Sequence, residues 1–316
     1  MNSLRSELCE LVTDLRCRPR DSLLRGLSLI FMTIISAMFG ALACEYGAKN
    51  FPDAQIIFRL LGVFWIGTRM RALGNMLHEC SHGIFVREAS HNAIFGQCLS
   101  IIDLCSYPAY CKQHATHHAH LGDPELDLDL RSRFPLLMPR KKNNSIWFIL
   151  LYAVFLVPLW LVMMRPIFWD RQSPFWSNCA RLVFVAALTS ALASSSTRFY
   201  VVLYWFIPYI TSYQWMRIFS DACDHLYLTN SENILERSRN HLFKRQWVNS
   251  VLFPRHDGFH LIHHLFPAMP TRFYPEIHGR LLTNPWYARR KHFLINGSNR
   301  KSLCSKMPVT FHGQSK

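Results

Sequence analysis

The sequence predicts an all-α integral membrane protein with about four transmembrane helices and a cytosolic helical cap holding a histidine-rich di-metal site. Three observations carry that expectation. Of the 316 residues, 50% are hydrophobic and 17% are charged, with 23 Phe, 11 Tyr and 9 Trp; soluble proteins carry about 25% charged residues. The apolar residues gather in runs bounded by arginines. Half of the 16 histidines fall in three short windows: His78-Glu79-Cys80-Ser81-His82, His114-Ala115-Thr116-His117-His118 and His260-Leu261-Ile262-His263-His264.

A net charge of +15 fits cytosolic loops rich in Lys and Arg and attraction to anionic lipid. The basic residues flank apolar runs and form no nucleic-acid-binding module, so no nucleic-acid partner is expected. The 10 cysteines include no CxxC pair. They read as small, buried, reduced side chains, Cys80 and Cys111 beside the histidine windows included.

Residues 1–25 read as a cytosolic N-terminal segment, partly helical. Arg5, Arg16, Arg18, Arg20 and Arg25 precede an apolar run too long for the core of a secretory signal. Gly26 to Cys44 is uncharged and is the first expected span, with the N-terminus inside. Pro52 and Asp53 start a helix that returns inward from Ala54. In it, Arg59 is expected to snorkel outward and Arg69 and Arg71 to meet the inner headgroups. The same helix continues through Leu77 and carries His78 and His82 below the membrane. Residues 92–110 contain Asp103 and Pro108 and join two windows that share a site, so they are expected to lie at the interface or re-enter.

Three more apolar runs follow, 146–164, 181–195 and 199–216. Windows on one side of a membrane require an even number of crossings. Arg140, Lys141 and Lys142 before the first run, and Arg165, Arg171 and Arg181 after it, assign both its ends to the cytosol. Trp147, Trp160 and Trp169 would anchor it at the interface. The other two runs then form a hairpin that turns outside at Ser194-Ser195-Ser196-Thr197. The expected catalytic domain spans 26–283, and 284–316 is expected to be a basic, flexible C-terminal tail.

A helix brings positions i, i+3 and i+4 to one face, so each window presents two or three imidazoles along one stripe. Neutral imidazole is the commonest protein metal ligand and suits iron, zinc, copper and nickel. Eight ligands exceed what one zinc takes, about four; two metals are the simpler count.

In this order the windows resemble the histidine boxes of the membrane fatty acid desaturase and hydroxylase superfamily: HxxxH, HxxHH, HxxHH. The surrounding text agrees, with Gly122-Asp123-Pro124-Glu125 after the second box and Leu265-Phe266-Pro267 after the third. The resemblance covers residues 25 to 280. It implies two Fe ions (Fe2+/Fe3+) held by His78, His82, His114, His117, His118, His260, His263 and His264, with O2 as co-substrate. It also implies one further histidine after the last span. His225, in Asp224-His225-Leu226, matches that position; His256 competes, with a supporting or surface role as its bland reading. No catalytic residue apart from the metal ligands is expected.

The implied reaction introduces a double bond into an acyl or lipid substrate; hydroxylation by a relative of the same superfamily is the alternative. Electrons must come from outside, because there is no His-Pro-Gly-Gly haem motif, no Fe–S cysteine spacing and no GxGxxG. A ferredoxin or cytochrome b5-like donor is expected, steered by a basic inner face that includes Lys141, Lys142, Arg165, Arg239, Lys244 and Arg245. Glu79, Asp123, Asp127, Asp224 and Asp257 are candidates to fix imidazole tautomers. His91, His120, His241, His278, His292 and His312 read as surface or structural. One rival comes from another class: His78, Glu79 and His82 also match HExxH, two ligands and a general base of a membrane zinc metallopeptidase. It leaves both HxxHH boxes unexplained.

Overall fold

The computed structural model describes residues 2–123, 125–129, 168–225, 237–290 and 292–294. Among them every named element is helical, and the one strand-like contact is an isolated bridge between Leu242 and Phe293. The apolar run 146–164, expected at the inner interface, lies outside the described residues.

The centre of the fold is a pair of long antiparallel helices, α3 (Leu23–Asn50) and α4 (Gln55–Ser81). Ser22 caps α3 by accepting from the Arg25 N–H. The core of α3 is unshielded by protein: Phe39 is 72% exposed and Leu42 68%. Such a surface is stable only against another apolar phase. Two described helices, α3 and α7 (Phe175–Ala193), are long and apolar enough to cross a bilayer. α4 is one residue shorter than α3 and carries Arg59, Arg69 and Arg71.

Of these arginines, Arg71 departs from its expected headgroup contact. Arg59 Nε lies 3.0 Å from Glu45 Oε1 on α3, and Tyr204 donates to the same oxygen at 2.7 Å. An apolar surrounding makes an unpaired charge costly, so the three groups satisfy one another. Arg71 faces protein and pairs with Asp257 at 2.7 Å. Arg69 lies 4.5 Å over the Trp65 ring.

Helices α5 (Ala89–Ile102) and α6 (Tyr107–His120) follow the first box and pack on α4. Neither joins the two candidate spans. After α7 come α8 (Arg198–Val201), a π turn over Val202–Phe206, α9 (Ile207–Ile210) and α10 (Ser212–His225). Pro208 has no N–H to give to a carbonyl one turn back, and the helix widens just before it. The expected hairpin of 181–195 and 199–216 corresponds to α7 and the stretch from α8 into α10, joined at 194–197, with the Phe184 and Trp205 ring centroids 6.1 Å apart. Gly67 lets α4 approach the start of α10, where a Cβ would collide with Ser212.

Leu128 and the first turns of α7 lie against α5 and α6. The Leu128 N–H bonds Thr116 on α6. Ser177 donates to Gln97 on α5, and Arg181 donates to the Cys105 carbonyl between α5 and α6.

The cap is completed by α11 (Gln246–Leu252), α12 (His260–Leu265), α13 (Tyr274–Leu281) and α14 (Pro285–Ala288). Its core draws on both ends of the chain. Leu8, Val12 and Leu15, from α1 (Asn2–Glu10), α2 (Thr13–Arg16) and the turn between them, are buried with Leu261, Ile262, Leu265 and Ile277. The N-terminal segment is therefore part of the cap. The expected tail boundary at 284 also moves: Tyr287 is fully buried, and the Leu242 N–H bonds the His292 carbonyl.

Candidate metal centre

The first box ends α4, with His82 at the C-cap before the chain turns at Gly83. The second occupies the last two turns of α6, the third fills α12, and His225 closes α10. All nine histidines singled out in the sequence come together in two groups. One holds His78, His82, His114, His118 and His263; the other holds His117, His225, His260 and His264. Within each, the inward nitrogens lie within 4.8 Å of one another. The groups adjoin, with the His118 and His264 ring centroids 4.5 Å apart.

Nε2 faces Nε2 throughout. In the first group the separations are 2.8 Å for His78–His114, 2.7 Å for His82–His114 and 2.8 Å for His118–His263. In the second they are 3.1 Å for His117–His225, 2.8 Å for His225–His260 and 3.0 Å for His260–His264.

The outward nitrogens explain this. His225 Nδ1 lies 2.8 Å from the Arg237 carbonyl, which can only accept. His117 Nδ1 lies 3.0 Å from the Asp127 carboxylate. Each imidazole therefore carries a proton on Nδ1, and its neutral form presents a lone pair on Nε2. Two lone pairs 3.1 Å apart repel each other, and a cation between them removes the conflict. Two nitrogens about 3 Å apart is also the spacing of neighbouring ligands at metal–nitrogen distances of about 2.0–2.1 Å. The donor set fits a pair of metal ions.

Protonation agrees. Burial first, then the neighbouring imidazoles, holds His114, His260, His263 and His264 well below the usual imidazole range. Burial takes His82 to about 4 and His118 to about 3. Near pH 7 these side chains are neutral, as ligation requires.

The turn after the second box delivers Asp127. Gly122 takes φ +80°, open to glycine at little cost. Asp123 Oδ1 accepts from the Glu125 and Leu126 N–H groups, and Gly122 N–H and His117 both meet Asp127 Oδ2. Asp123 thus builds the turn and Asp127 orients the ligand. On the other side, Asp224 lies 3.4 Å from His260 Nδ1 and 2.7 Å from His241 Nδ1. Burial raises the Asp224 carboxyl to about 6 against the opposing pull of His241. His263 Nδ1 lies 3.3 Å from the Tyr274 hydroxyl. Asp127→Ala is expected to cost about 10–100-fold in metal affinity or turnover, as such supporting partners usually do. Titrating the apoprotein with Fe2+ checks it; unchanged affinity and turnover would remove Asp127 from this role.

Two acidic residues serve otherwise. Arg71, Asn75 and Glu79 recur every fourth residue, so they share one face of α4. Arg71 pairs with Asp257, Asn75 donates to the Pro254 carbonyl at 2.8 Å, and Arg255 grips Glu79 with two bonds of 2.6 Å. This stripe fastens the segment leading into the third box onto the helix carrying the first. Arg255 and His256 sit there at φ 64° and 62°, a conformation costing roughly 1–3 kcal/mol per residue that persists only when the surroundings impose it. Glu79, gripped by Arg255, is unavailable as the general base of a zinc peptidase.

The remaining histidines separate clearly. His256 belongs to neither metal group and lines a recess between α3, α4 and α11. His241 is fully buried against Asp224, so its bland reading missed a supporting role. His278 and His292 are buried structural groups bonded to the Tyr287 hydroxyl and carbonyl respectively. His120 is exposed, His91 contacts Glu88, and His312 lies outside the described residues.

The Fatty acid desaturase family profile matches residues 54–292, three quarters of the chain. The chain belongs to this family. Its relatives include the dihydrorhizobitoxine desaturase of Bradyrhizobium elkanii, 26% identical over 72% of this chain and 69% of that protein. A probable fatty acid desaturase of Sorghum bicolor is 25% identical over 66% of this chain and 60% of its own length. The sn-1 acyl-lipid omega-3 desaturase (ferredoxin) of Synechocystis is 23% identical over 79% and 72%. Family membership makes this chain a desaturase-type oxidoreductase with a histidine cluster suited to metal.

Proposed function

We propose that this desaturase is a membrane-bound, O2-dependent di-iron enzyme that introduces a double bond into an acyl or lipid substrate. The observation that carries the reading is the facing pair of Nε2 lone pairs on His117 and His225, each fixed by an acceptor at Nδ1. His78, His82, His114, His118 and His263 hold one ion; His117, His225, His260 and His264 hold the other. Bound iron supplies the redox chemistry that removes hydrogens from unactivated C–H bonds, which acid–base side chains cannot do. Burial keeps His78, His82, His114, His118, His260, His263 and His264 neutral, and Asp127, Asp224 and the Arg237 carbonyl orient His117, His260 and His225 respectively. An external ferredoxin or cytochrome b5-like protein supplies the electrons. The omega-3 relatives support an acyl-lipid substrate. Expression with a ferredoxin donor, followed by mass spectrometry of membrane lipids, should show acyl chains that have lost two hydrogens. Gain of one oxygen instead would make it a hydroxylase, and unchanged lipids would reject the acyl-lipid assignment.

The same reading places four crossings: α3, α4, α7 and the stretch from α8 into the start of α10. Both termini and all three boxes face the cytosol, within a catalytic unit that takes in the packed N-terminal segment and the packed residues up to 294. The support is the arginine pattern, with Leu128 and the first turns of α7 both lying against α5 and α6. Single cysteines at positions 143 and 171 should be labelled only from the cytosolic side. Labelling at 171 from outside would overturn this topology.

A further inference from the structure

Beside the third box lies a recess of about 390 Å³. Arg5, Arg16, Arg18 and Arg20 form its rim, the Leu265–Pro270 stretch forms its floor, and none of its lining residues is acidic. Arg18 is engaged by Glu276, whereas Arg20 donates to the Gly83 carbonyl and Arg16 to Cys9 Sγ. Those two acceptors are uncharged, so the positive charge at the rim remains uncompensated there. Arg5 and Arg16 are exposed. The floor is apolar and begins at Leu265, the residue bonded to His264. This stretch of surface is therefore one residue along the chain from the second metal group.

We propose that this recess docks the acidic face of the protein that delivers electrons. The proposal rests on the reading of the chain as a redox enzyme with an external donor. A cationic rim around an apolar centre is how specific, steerable interfaces are built: charge sets the encounter and the apolar floor holds it. The location follows from the chemistry, since electrons must reach the buried imidazole groups by a short path. The site differs from the basic inner face expected from the sequence, where Lys244 and Arg245 lie on the segment leading into α11. It is built by the N-terminal segment, whose burial of Leu8, Val12 and Leu15 fixes the arginines over the third box.

The test uses the full-length, metal-loaded enzyme in neutral detergent, with a plant-type [2Fe–2S] ferredoxin and the soluble domain of a cytochrome b5 as acidic probes. Binding is measured by calorimetry at low and high salt. Turnover is measured with each carrier and, separately, with dithionite and a small mediator. R5E/R16E should weaken binding of the competent carrier at least tenfold and raise its KM similarly, with mediator-driven turnover unchanged. K244E/R245E should change binding less than threefold. The proposal is overturned if R5E/R16E binds normally, if K244E/R245E is the damaging pair, if neither carrier binds the wild type, or if phosphatidylglycerol vesicles occupy the recess in competition with the carrier. Binding needs no turnover. An enzyme that binds its carrier but oxidises nothing with any reductant would refute the desaturase reading while leaving the docking site standing.

Discussion

His118→Ala and His264→Ala are each expected to abolish turnover and lower bound iron, with the double variant scarcely worse than either. One residue comes from each metal group, yet their rings are neighbours, with centroids 4.5 Å apart. Residues that act as a unit give non-additive losses. His225→Ala should behave like them, because its Nε2 faces both His117 and His260. His256→Ala should retain iron. Iron analysis and single-turnover product yield are the measurements. An active His118→Ala or His264→Ala enzyme would reject the two-metal reading outright, and an iron-replete, active His225→Ala enzyme would remove only the ninth ligand.

The second large effect belongs to Glu79. Its side chain is almost completely buried, and Arg255 is its charged partner. Glu79→Ala leaves a buried guanidinium without its carboxylate, and breaking such a pair costs about 3–5 kcal/mol. The strained 254–257 turn loses one of its three fastenings to α4, so iron retention should fall as well. Removing both partners should cost less than the sum of the single changes, since neither charge is then stranded. Thermal unfolding of Glu79→Ala, Arg255→Ala and the double variant forms the cycle. Wild-type stability and iron content in Glu79→Ala would show that the pair fastens nothing. In a peptidase the same change would leave the fold intact and remove only hydrolysis.

Much of the site was legible because metal ligation imposes spacing. Helical i, i+3 and i+4 repeats made the boxes visible, and the resemblance supplied His225. The supporting shell was less visible, because its contacts join distant parts of the chain. Asp127 and Asp224 stood among five acidic candidates, and nothing local separated them from Asp257, which pairs with Arg71. His241 carried no spacing signal at all. A signal did exist for the fastening stripe: polar residues at 71, 75 and 79 repeat every fourth position along α4. Reading Arg71 as a headgroup contact hid it. The extent of the cap was also misjudged, since basic composition described 284–294 and burial decided it.

The joint core of Leu8, Val12 and Leu15 with Leu261, Ile262 and Ile277 has a consequence for biosynthesis. The chain emerges N-terminus first, so these three residues are made early and wait for partners that appear about 250 positions later. Closing contacts of such separation is slow, because the intervening chain loses entropy before any contact rewards it. The third box therefore follows the second by about 140 positions, and the two histidine groups close only once residues 260–277 have been made. Until then the partial chain carries the first two boxes but lacks the four histidines that complete the two groups, so it has no redox centre to run while still half made.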